Sequence, residues 1–173
     1  MNEFLEILKY TIPALVTGGT AYFLVDRILK RSENERIHRM HIEAKKMTDP
    51  LRLQAIERLT LLVERISPQN LVMRIPSQGA TSAMYHAEII KSIRSEFDHN
   101  ITQQVYVSHQ AWDAVKNARE ETIKLINYAY SEVGPNAKGN ELAQIILELT
   151  MKVEKLPTDV AVFILREEAK KLY

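Results

Sequence analysis

Glu35 with His38, and Glu96 with His99, each set a carboxylate and an imidazole three residues apart, a spacing that aims two ligands to one side of a helix. Two such pairs with two further glutamates inside a helical bundle would hold iron or manganese, so the sharpest enzymatic expectation is a carboxylate-bridged di-metal site using Glu96 and His99. Glu35 and His38 follow closely on a long apolar run, in a charged segment that reaches no core without folding back. Ordinary solvated side chains are therefore the preferred reading. No catalytic residue, cofactor or metal is assigned, and a di-iron or di-manganese helical-bundle enzyme stands as an alternative.

Other chemistries find less support. His38 and His41 lie about a turn apart but have no third or fourth ligand nearby. The chain has no cysteine, which removes thiolate catalysis and cysteine-bound metal. Gly134 and Gly139 lack the Lys-Ser or Lys-Thr that completes a phosphate-cradling loop. A formal net charge of +1, without a basic face bearing aromatic platforms, excludes nucleic acid as an expected partner. What stands out is a dense polar stretch of Asp98, His99, Asn100, Gln103, Gln104 and Tyr106 between two good helix patterns. Connectors held by rigid elements concentrate binding groups, so these six form the candidate interaction loop; capping of helix ends is the competing use.

Five Gly and six Pro, against abundant Ala, Leu, Ile, Glu, Lys and Arg, make all-α the expected fold class. From Tyr10 to Val25 no residue is charged, and Ile7, Leu8, Ile28 and Leu29 extend the apolar run. This reads as a single transmembrane helix. Of the cations, Lys9 alone precedes it and Arg27, Lys30, Arg31, Arg36 and Arg39 follow, so the N-terminus is expected outside and the remainder in the cytoplasm. Ala14, Gly18 and Ala21 put small side chains on one helical side, a candidate membrane-helix contact face. Ile37, Met40, Ala44 and Met47 then mark a charged helical stalk.

Asp49-Pro50 predicts a helix start, with Leu53, Ile56, Leu59, Val63 and Ile66 as its buried stripe and Arg52, Glu57, Arg58, Glu64 and Arg65 toward solvent. Ser67-Pro68 opens a short helix. Thr81 or Ser82 caps the next, with Ala83, Ala87, Ile90 and Phe97 inward. Residues 100 to 107 form an irregular connector. Ser108 caps the longest helix of this part, carrying Trp112, Val115, Ala118, Thr122, Ile126, Ala129 and Val133, and Gly134-Pro135 ends it. Two more helices, broken at Pro157, complete an irregular four- to five-helix bundle. The domains are thus 1–29 transmembrane anchor, 30–48 stalk and 49–173 cytoplasmic helical domain.

The run from Leu51 to Ile66, the segment Glu96-Phe97-Asp98-His99-Asn100 through Gln103-Gln104-Val105-Tyr106-Val107-Ser108, then Trp112 and Glu120 to Asn127, resemble an uncharacterised family of short, N-terminally membrane-anchored proteins of Bacteroidota. The resemblance covers residues 5 to 133. It implies a bacterial inner-membrane setting and transfers no catalytic residue. The functional expectation is a non-enzymatic, membrane-tethered interaction module: a scaffold, adaptor or accessory subunit of an inner-membrane complex. Its expected partners are membrane lipid, through the N-terminal helix, and a protein partner or further copies of itself. A peripheral lipid-interacting protein is the remaining alternative.

Overall fold

The computed structural model describes the backbone from residue 2 to 172 and the side chains from residue 15 to 172, apart from those of residues 32, 34, 37, 38 and 41. The chain is all-helical: α1 (Asn2–Arg65), α2 (Pro68–Arg74), α3 (Ser82–Asn100), a 3-10 turn (Ile101–Val105), α4 (His109–Val133), α5 (Gly139–Lys152) and α6 (Pro157–Lys170). Among the described residues the only extended pairing is an isolated antiparallel bridge between Thr81 and Lys138. The chain divides into two compact units, Met1–Thr48 and Asp49–Tyr173.

Within the first unit, no helix among the described residues is long and apolar enough to cross a membrane. The described charge-free run, Leu15 to Val25, is about 16 Å of helix against a hydrocarbon core of about 30 Å. Its middle is Thr17-Gly18-Gly19-Thr20, with the Thr20 hydroxyl turned back onto the carbonyls of Val16 and Thr17. Tyr10 to Ala14, the first part of the expected span, lie outside the described side chains. The expected transmembrane anchor, the outside-to-cytoplasm orientation and the single-pass inner-membrane location are corrected accordingly. With no such span among the described residues, the basic run after Val25 is not read as a topology signal. Three of its cations are engaged along the helix: Lys30 pairs with Asp26, and Glu35 lies between Arg31 and Arg39, all four residues apart.

The expected helix start at Asp49-Pro50 is also corrected, since α1 continues unbroken to Arg65. Proline inside a helix forfeits one hydrogen bond and crowds the preceding turn, at a cost of about 3 kcal/mol. Four turns of helix follow in which Ala55, Ile56, Leu59, Leu62, Val63 and Ile66 are buried, and a fully buried aliphatic side chain contributes about 1.5–3 kcal/mol. That packing outweighs the local preference. Leu53, expected in the stripe, remains exposed.

In the second unit α4 is the central element, packing on α3, α5 and α6. Trp112, Val115, Ala118, Thr122, Ile126 and Ala129 are buried along its length. Ser108 caps its start by accepting a hydrogen bond from the Ala111 amide, and Gly134, at φ +80°, ends it. Thr81 caps α3 in the same way through the Met84 amide. On α3 the buried set is Tyr85, Ile89, Ile93 and Phe97 rather than Ala83, Ala87 and Ile90. Phe97 joins α3 to α4, lying 5.3 Å from the Trp112 ring with the Arg119 guanidinium 4.0 Å over its face.

Candidate functional site

The polar connector resolves into residues with different uses. Asn100 is buried, and its side-chain amide donates to the Glu96 carbonyl at 2.9 Å, closing the last turn of α3. Asp98, His99 and Gln104 are exposed. Gln103 and Tyr106 line a groove of about 390 Å³ with Thr102 and Val105 on one side and Leu51, Gln54 and Arg58 of α1 on the other. Val105 is 77% exposed, and Leu51 and Tyr106 are nearly half exposed, so the groove presents apolar surface to solvent. Arg58 has no ion-pair or hydrogen-bond partner among the described residues. A free guanidinium beside exposed apolar groups can take a carboxylate or a carbonyl while its neighbours bury a side chain.

The groove wall is held from behind. Arg52 donates through Nε to the Tyr106 carbonyl at 3.4 Å and lies 3.6 Å from the Glu168 carboxylate. Glu168, on α6, is buried and accepts the Ser108 backbone N–H at 2.7 Å, and the Ser108 hydroxyl donates to its second oxygen. Two helices and the turn therefore meet on one carboxylate. A buried carboxylate persists because each oxygen finds donors, here an amide, a hydroxyl and a guanidinium. Nothing in the sequence pattern distinguished Glu168 from its neighbour Glu167 on α6, and Arg52 and Arg58 read as solvent-side residues. Ser108, by contrast, was legible as a cap.

Glu96 and His99, the alternative metal ligands, have other company. Glu96 lies 2.7 Å from Arg65 and 3.9 Å from Arg74, which also donates to the Ser92 hydroxyl. The carboxylate thus ties α1, α2 and α3 together. His99 stands nearby in a second, smaller recess with Arg58, Leu61 and Asn100. Among the described residues no group of three or more His, Cys, Asp or Glu side chains is placed to hold a metal. His38 and His41 lie outside the described side chains. Of the small-residue face, Gly18 and Ala21 are exposed, no atom lies within 4 Å of a Cβ built on Gly18, and Ala14 falls outside the described side chains.

His86 is occupied as well, bonded through Nε2 to Asn127 Oδ1 at 2.8 Å and stacked on Tyr130. A concavity of about 770 Å³ runs beside it, but its lining comes from one side of α3 alone and gathers no converging groups.

Bundle and groove define an all-helical protein with a recess between a helix and a 3-10 turn, backed by a buried carboxylate. The chain belongs to the family of unknown function DUF7935, which it matches over residues 2–172. No curated protein and no solved structure matches it.

Proposed function

We propose that the protein is a non-enzymatic interaction module that captures a protein partner in the groove between Leu51, Gln54 and Arg58 of α1 and the turn bearing Gln103, Val105 and Tyr106. The observation carrying this reading is the unpartnered Arg58 set between exposed Leu51 and Val105. Small apolar recesses with a few well-placed polar groups are where orientation-specific contacts form. The Glu168–Arg52–Tyr106 chain supports it by holding the groove wall before any partner arrives, which lowers the ordering cost of binding. A scaffold, adaptor or accessory-subunit role belongs to the same proposal, and so does an origin in Bacteroidota, which rests only on the sequence resemblance.

The test is purification of the tagged full-length protein from its native source, with identification of any stoichiometric companion, beside Arg58→Glu and Val105→Asp variants. Loss of that companion in both variants, with unchanged helical content, is the expected result. A companion retained by both, or a preparation without one that turns over a substrate, sinks the proposal.

A further inference from the structure

The exposed side of α1 within the first unit carries a stripe of residues three or four apart: Tyr22, Val25, Leu29, Glu33, Arg36, Met40, Ala44 and Met47. All eight are exposed, the five large apolar ones by 53% to 77%. Steps of three and four residues keep a stripe on one side of a helix, as in helix–helix seams. This one is about 38 Å long and exceeds three heptads, the length a two-helix seam usually needs. Its steps are three, four, four, three, four, four, three, the same read from either end.

That symmetry has a chemical counterpart. Run antiparallel to a second copy about an axis between Glu33 and Arg36, the stripe sets Tyr22 against Met47, Val25 against Ala44 and Leu29 against Met40, each twice. At the centre Glu33 of each copy meets Arg36 of the other. A parallel, in-register pairing instead opposes Glu33 to Glu33 and Arg36 to Arg36. Of the charges around this centre, Asp26 is paired within the helix by Lys30 and Glu35 by Arg31 and Arg39. Glu33 and Arg36 have no partner among the described residues.

We infer that this face of α1 binds a second copy of the chain as an antiparallel helix pair, with reciprocal Glu33–Arg36 contacts at its two-fold axis. Such an interface uses one surface patch on both copies, as a closed dimer requires. The apolar layers supply the affinity. The central ion pairs, which gain little net energy when buried, select direction and register. The inference is independent of the groove and of any partner bound there.

Sedimentation equilibrium on the full-length chain tests it, with Glu33→Arg, Arg36→Glu and the double exchange. The expected result is a dimer whose dissociation constant rises about tenfold or more in each single variant and returns to within about threefold of the original in the double exchange. Since the chain has no cysteine, direction is read separately. Tyr22→Cys and Met47→Cys proteins, mixed and oxidised, should cross-link to each other, and neither alone to itself. A monomer at all concentrations, single variants without effect, a double exchange that fails to restore, or self-linking of Tyr22→Cys alone would each overturn the inference.

Discussion

The Glu168 carboxylate on α6 accepts the backbone amide and the hydroxyl of Ser108, the residue that caps α4 sixty positions earlier. One side chain thereby fastens the last helix to the start of the central one, and reaches the 3-10 turn through Arg52. Substitution of Glu168 by Ala removes the acceptor of the Ser108 amide and hydroxyl and the anion beside Arg52. A loss of about 2–4 kcal/mol in urea unfolding is expected. Glu168→Gln keeps an acceptor and should cost less. Equal losses from Gln and Ala would show that the carboxylate's hydrogen bonds do not carry the effect.

Tyr85 lies 1% exposed with its hydroxyl unpartnered among the described residues. Burial raises its phenol above the ordinary value of 10.0. The unfolded chain ionises near pH 10 while the folded one holds the proton, so stability is intact below that pH and falls as pH rises through the folded value. Tyr85→Phe should match or exceed the parent by up to about 1–2 kcal/mol at neutral pH, because it deletes an unsatisfied group. It should also flatten the alkaline decline. Clear destabilisation of the variant at pH 7 would mean that the hydroxyl has a partner after all.

A Cβ built on Gly139 would stand 2.7 Å from the Ser77 carbonyl oxygen and 3.1 Å from that of Ala80. Both are backbone atoms of the loop that Gly139 bridges through its N–H to Ala80 at 2.8 Å. Gly139→Ala must push the α2–α3 and α4–α5 connections apart, for an expected loss of about 1–3 kcal/mol in thermal or urea unfolding. Gly79→Ala, where no atom crowds the Cβ, meets only the cost of its φ of +76°. The Gly139 variant being the milder of the two would refute the crowding argument.

Asp113 accepts a hydrogen bond from Lys116 at 2.7 Å and lies 3.2 Å from His109, and the Lys116 bond foremost holds its carboxyl below the ordinary value of 3.8. Its contribution to stability is present above the unfolded value and disappears as pH falls through the folded one, below about pH 4. Lys116→Gln should move the Asp113 carboxyl resonance midpoint back upward in an NMR titration. An unchanged midpoint would assign the depression to His109 instead.

How far local pattern could reach is visible on α4. Its apolar residues fall at helical spacing between a serine that caps and a glycine that stops, so its limits and buried side were readable from order alone. On α3 two stripes compete, one of alanines and one of Tyr85, Ile89 and Ile93, and only the volume available against α4 and α5 selects the larger side chains. At Pro50 local preference pointed to a break, and the packing of Ile56 to Ile66 carries the helix through. The apolar run near the N-terminus suggested a membrane, but its described part is too short and too interrupted to cross one.

The order of residues by itself determined the all-helical class, the caps at Thr81 and Ser108 and the position of the polar connector, because these follow from contacts within a few residues along the chain. Only the tertiary structure decided that Glu96 meets Arg65, that Glu168 meets Ser108, and that Arg58, beside Val105, has no partner among the described residues. Those outcomes depend on which helix sides converge in space. A charged side chain looks the same in sequence whether water or a helix sixty residues away completes its hydrogen bonds.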